Sequence, residues 1–210
     1  MSEALQGRSH FIRRGKLLEY LTIGYNSLEG IIAIGAGVIA GSVALVGFGF
    51  DSAIEVISGA ALLWRLHADV DEQRRERVEQ LTLRIVGWSF LLLAAYVLFD
   101  AGKSLLRREP PNESIAGIVL AAVSLVVMPL LVRAKRRVAK AISSKALEAD
   151  ATQTALCTYL SAILLGGLLL NAIAGWWWAD PVAALIMVPI IVREGIEGIR
   201  GEHCDDGCGH

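Results

Sequence analysis

Between Lys16 and Arg65 the chain carries no Lys or Arg, and similar basic-free stretches run from Arg84 to Lys103, from Arg108 to Arg133 and from Lys145 to Arg193. Apolar residues fill these stretches in long runs rather than in a stripe of period 3.6, and about 20 such residues suffice for a helix to cross a bilayer. With 54% hydrophobic residues and a mean hydropathy of +0.53, the composition is too apolar for an ordinary soluble domain. The expected fold class is an all-α membrane protein with six transmembrane helices, near residues 19–41, 43–66, 83–105, 114–133, 146–172 and 178–198. The first two windows are split at Gly41 and Ser42, because one helix through both would be far longer than a bilayer is thick. The sixth is the least apolar: its uninterrupted part is Pro181 to Val192, and its start depends on Trp176, Trp177 and Trp178 lying in an interfacial aromatic belt. Asp180 and Pro181 read as an N-cap and first helical position, and Pro189 as a kink.

A net charge of -1 conceals strong segregation. Seventeen of the 20 Lys and Arg fall in the N-terminus, the 66–84 linker counted with Arg65, the 133–145 linker and the C-terminal end, and only Lys103, Arg107 and Arg108 lie in a loop on the other side. The positive-inside rule then predicts cytoplasmic termini and a plasma (inner) membrane protein whose surroundings are lipid, with no nucleic-acid partner. Residues 1–18 are expected to form a basic cytoplasmic N-terminus without the pattern of a cleaved signal peptide, 19–199 the six-helix domain and 200–210 a cytoplasmic Cys/His tail, with no C-terminal soluble domain expected. Cys157 lies in an apolar run and Cys204 and Cys208 in the tail, which gives no disulfide framework.

Asp51 and Glu55 stand four residues apart in the second apolar window and share one helix face. Ionisable groups at membrane depth are costly and usually face a bundle interior or a transport path. No His lies in a window, and the Lys and Arg there, such as Arg65, Arg84 and Arg133, stand near window ends, from which only snorkelling side chains could reach in. Two carboxylates facing each other at low dielectric repel, so each must hold a proton or share a cation. A site that alternates between those two states is a metal/proton exchanger.

Gln153 and Cys157 repeat the four-residue spacing in the fifth window, and a mixed oxygen and sulfur metal site of Asp51, Glu55, Gln153 and Cys157 follows if the two faces meet. Taken alone, Cys157 also fits a small buried hydrophobe. Glu148 and Asp150 read as vestibule acids or as charges favoured at a helix start. In the first window Tyr25, Asn26 and Glu29 form a polar patch that either borders the same cavity or, for Glu29, satisfies a neighbouring helix. Asp100 and Asp180 read as solvated interface acids. The Gly37 to Gly41 GxxxG serves either close packing within one chain or a dimer seam.

His203, Cys204, Cys208 and His210 gather four nitrogen and sulfur ligands at the end of the chain, suited to Zn or a softer metal but not at a zinc-finger spacing. No Ser/His pair or His-rich motif lies in a window, so no enzymatic reaction and no resident cofactor is specified.

These residues resemble the cation diffusion facilitator (cation efflux) family. The match lies in Asn26 and Gly30, in Gly41 and Ser42, in Asp51-Ser-Ala-Ile-Glu55, in the segment LEADATQTALCTYLS at 147–161 and in the segment that begins at Asp180. The resemblance implies a cation-efflux-like bundle and a homodimeric, proton-coupled carrier that exports a divalent transition or heavy-metal cation, Zn or a softer ion such as Cd. It also implies a metal site between the second and fifth spans. Asp51 stands on a family ligand, Glu55 replaces an acid, Gln153 stands where the family has His and Cys157 where it has Asp. In that departure the chain looks closer to a branch that includes the transmembrane-protein-163-like zinc transporters. The alternative reading is a membrane metal sensor or scaffold that keeps the fold without transport.

Overall fold

Gly41 and Ser42 separate two helices in the computed structural model, which describes residues 2–67, 72–108, 112–142 and 145–200. The first helix, α1 (Ser2–Ala40), ends because Gly41 takes a φ of 70°, a left-handed conformation open to glycine at no steric cost. The Ser42 amide donates to the Gly37 carbonyl at 2.9 Å and the Gly41 amide to Val38 at 3.4 Å, the paired bonds of a Schellman motif. α2 (Val43–His67) starts at once. Ser42 is its N-cap, its hydroxyl oxygen accepting from the Leu45 amide at 3.1 Å.

Asp180 corrects two expectations. It is neither solvated nor the cap of its own helix, α6 (Ala179–Arg200), which begins one residue earlier. It is 1% exposed and sits over the start of α2, accepting from the Ser42 hydroxyl at 2.5 Å and from the Val43 and Ala44 amides at 3.0 and 3.5 Å. A carboxylate there satisfies orphan amides and faces the positive end of the helix dipole. Sequence spacing could not show this, because the cap and the helix are 137 residues apart. Asp180→Ala is expected to cost about 2 kcal/mol, read as a lower thermal midpoint in detergent, whereas Asp180→Asn keeps an acceptor and loses less.

The remaining helices are α3 (Glu72–Arg107), α4 (Ile115–Ile142) and α5 (Lys145–Ala174). All six expected helices are present, and five of them are long and apolar enough to cross a membrane. The sixth, α6, runs through Pro189 and carries Arg193, Glu194 and Glu197 in its second half. Helices α1, α3 and α4 extend well past the apolar windows, because a polar sequence continues a helix that tertiary contacts already hold. Much of the expected 133–145 linker is therefore helix. Ser114 caps α4 through the Gly117 amide at 3.1 Å, and Gly175, with a φ of 63°, closes α5 through Asn171 at 3.0 Å. Trp176 and Trp178 stack in the α5–α6 turn, their ring centroids 5.0 Å apart.

Four helices close a ring: α1 packs on α2 and α4, and α5 packs on α4 and α2. The pair α3 and α6 lies against α2, with α6 also touching α5. Their close approach is written in glycine. A Cβ on Gly87 would stand 2.7 Å from the Gly195 carbonyl oxygen, and one on Gly37 would stand 2.8 Å from the Val46 amide nitrogen. Gly37 thus seats α1 on α2 within the chain, and Gly41 serves as the helix end rather than as packing surface. The main apolar core joins Leu45 and Phe48 of α2 to Val97 of α3, Leu160 and Leu164 of α5 and Met187 of α6. A second cluster, Leu62, Val138, Ala139 and Leu147 with Phe11, Leu18 and Ile142, closes one end of the ring. Large apolar side chains such as Leu28, Ile39, Phe99, Val126 and Ile173 face outward, as a bilayer solvent requires.

Candidate metal centre

Polar side chains enter the ring of α1, α2, α4 and α5 at two depths. At the first α2 presents Asp51 and Glu55, 3% and 4% exposed, and α5 presents Cys157, 1% exposed. The Cys157 thiol donates to Asp51 Oδ2 with Sγ 2.8 Å away, so the matched faces of the second and fifth windows do meet. Glu55 lies one helical turn along α2 from Asp51. The fully buried Asn26 of α1 donates its amide to Glu55 Oε2. Glu55 Oε1 and Asn26 Oδ1 are buried without a hydrogen-bond partner among the described residues. A buried oxygen without a donor forfeits its hydration, which leaves these two atoms free to accept a proton donor or a cation.

Gln153 reaches the same region but turns toward α2 one turn further on, its Oε1 accepting from the Ser58 hydroxyl at 2.8 Å while its Nε2 has no described partner. Among the described residues no three His, Cys, Asp or Glu side chains are gathered tightly enough to hold an ion as they stand. Asp51 and Cys157 touch, and the other two candidate ligands are each held by a neighbour.

Glu29 lies at the same depth as the Asp51–Cys157 pair, because its partner Ser52 is the residue next to Asp51 on α2. It is 1% exposed and its two oxygens accept from Ser52 of α2, at 2.8 Å, and from Ser124 of α4, whose hydroxyl also lies 2.7 Å from that of Tyr25. Glu29 thus ties neighbouring helices from within the layer that holds Asp51. Ser52 and Ser124 carried no signal in the sequence, since single serines are common in membrane helices.

The second depth holds a basic side chain that the sequence placed in a loop. Lys135, counted by sequence among the loop charges, is 0% exposed inside the ring. Its ammonium contacts Asp150 Oδ2 of α5, both oxygens of Glu19 of α1 at 3.3 Å, and Thr154 Oγ1 at 3.3 Å. Asp150 is therefore no open vestibule acid. Glu148, by contrast, is exposed and outside the ring. Glu19 and Thr154 were not singled out by sequence, Glu19 because it falls at the edge of the first apolar window. Asp100 is partly buried and lines a shallow pocket of about 450 Å³ at the opposite end, with Tyr96, Lys103 and Asn112. His203, Cys204, Cys208 and His210 lie outside the described residues.

With this arrangement in place, comparison with known proteins is specific. Residues 21–200 match the cation efflux transmembrane domain. The chain is 32% identical over 113 residues to the cation-efflux pump FieF of Shewanella oneidensis, an alignment that covers 54% of this chain and 36% of that protein. It is 24% identical over 160 residues to the uncharacterized transporter sll1263 of Synechocystis, covering 73% of this chain and 52% of that protein. The chain thus spans from about a third to about half the length of these relatives. The matched segment takes in both polar depths of the ring except Glu19, and on that match the chain belongs to the cation efflux family.

Proposed function

We propose that the protein is a secondary transporter that moves a divalent transition or heavy-metal cation, of the Zn or Cd type, out of the cytoplasm in exchange for protons. The observation that carries this reading is the Asp51–Cys157 contact between α2 and α5, with an unpaired oxygen of Glu55 one turn away. In this reading Asp51 and Glu55 supply negative charge, Cys157 a sulfur and Gln153 a neutral oxygen. Carboxylates and thiols bind a metal in their deprotonated forms, so ion binding expels protons and reprotonation releases the ion. Because ligands and protons compete, ion affinity rises with pH. Transport then requires the helices that carry the site to rock between two openings. The excess of Lys and Arg on one side of the spans supports cytoplasmic termini in a plasma (inner) membrane, and a homodimer is the assembly proposed with this reading.

The name of the Shewanella relative, a cation-efflux pump, supports the direction of transport. Uptake of Zn or Cd into proteoliposomes under an imposed pH gradient tests the reading. Flux that depends on the gradient is the expected result, and none with either ion in folded protein would overturn it. Cys157→Ser removes the soft ligand and is expected to lower Cd flux relative to Zn by about tenfold, measured as the ratio of initial rates.

The second reading, a metal sensor or scaffold, is favoured by one feature. Gln153 is engaged by Ser58, and no three of the strong ligand types converge among the described residues. It predicts metal binding with no flux, which the same proteoliposomes distinguish.

A further inference from the structure

Lys135 is an expensive residue to bury. An ammonium taken out of water costs several kcal/mol even after relaxation, and the attraction of its partners offsets that only with good geometry. Here it is fully enclosed and meets carboxylates from two other helices, Glu19 of α1 and Asp150 of α5, plus the Thr154 hydroxyl. The position of this cluster is fixed from three helices. Glu19 precedes Asn26 by seven residues on α1, and Asp150 precedes Cys157 by seven on α5, so both acids lie about 10 Å along their helices from the metal layer. On α2, Gly59 follows Glu55 by one turn, and a Cβ there would stand 3.4 Å from Glu19 Oε2. The charged cluster therefore fills the space between α1, α2, α4 and α5 directly beneath the Asp51–Glu55 layer. Below it again lies the apolar cluster of Leu62, Val138, Ala139 and Leu147, carried on the helices the lysine ties together.

We propose that Lys135 is a positioning residue that latches this end of the transport path: seated between Glu19 and Asp150, it clasps α1 and α5 to α4 and keeps the Asp51–Cys157 layer shut toward the α4–α5 connection. The inference rests on the reading that ions pass through the ring. A tethered cation suits this role because it neutralises two acids lying on the ion's route, and because an incoming divalent cation is a competitor for the same carboxylates. A purely apolar plug would close the path equally well but would offer an arriving cation nothing to exchange with.

The test reads access rather than transport, so that failure of the latch and failure of the transport reading are distinguishable. Cys157 is made the sole thiol by Cys204→Ser and Cys208→Ser, and a charged, membrane-impermeant methanethiosulfonate is applied to either face of sealed vesicles. With the native Lys135, Cys157 is expected to label slowly from the face bearing the α4–α5 connection. The combined change Lys135→Met, Glu19→Gln and Asp150→Asn removes the clasp without leaving a buried charge alone, and labelling from that face is expected to accelerate at least about tenfold as the open population rises. Lys135→Arg keeps the charge and is expected to stay slow. Asp150→Asn alone, the mildest change, is expected to give an intermediate rate. Equal rates in the native, triple and Asp150→Asn proteins, or acceleration only from the opposite face, would overturn the latch.

Discussion

Lys135→Met is expected to be among the most damaging single substitutions in this chain, costing about 3–5 kcal/mol, because it leaves Glu19 and Asp150 as buried acids without a counter-charge. The side chain it removes is 0% exposed and touches three partners on two other helices, so no water reaches in to replace the ammonium. The loss would be read as a fall in thermal midpoint and in monodisperse yield in detergent. Much of that cost belongs to the abandoned acids rather than to the ion pair. Adding Glu19→Gln and Asp150→Asn is accordingly expected to recover most of the stability, since a neutral set of similar volume is often as stable as a buried charged one. Failure of the triple change to recover any stability would mean that the charges themselves, and not their compensation, hold the helices.

Asp51→Asn is expected to reduce ion flux to background while leaving the fold intact. Asparagine has nearly the same volume and still accepts a hydrogen bond from the Cys157 thiol, so the α2–α5 contact survives. What disappears is one negative charge and one proton-binding group in a site with few of either. Gln153→Ala is the informative contrast. Gln153 contributes a neutral oxygen already engaged by Ser58, and its loss is expected to cost only severalfold in rate. Comparable losses from the two substitutions would mean that geometry rather than charge limits transport.

Much of the bundle was legible because a membrane leaves few options: basic-free apolar runs of span length can be little else than helices. The α2–α5 contact was legible for a related reason. Asp51 with Glu55 and Gln153 with Cys157 repeat one spacing at matched depth, and polar groups in lipid have to find one another. Lys135 and Asp180 were misread by the same rules. Hydropathy windows stop at the first cluster of charges, so a lysine just beyond Arg133 counts as loop, although the helix continues to Ile142 and turns that residue inward. Asp180 looked like a local cap because capping patterns are local in sequence, whereas its donors belong to α2. Glu29 could not be assigned without the serines of α2 and α4, which become recognisable as partners only once the helices are side by side.

Whether the Asp51–Cys157 layer exchanges protons for a metal ion is decided by counting protons released when Zn is added to the purified protein in weakly buffered detergent solution. Saturable proton release that accompanies binding, and that Asp51→Asn abolishes or sharply reduces, is the expected result. Zn binding with no proton release, or release undiminished in Asp51→Asn, would contradict it.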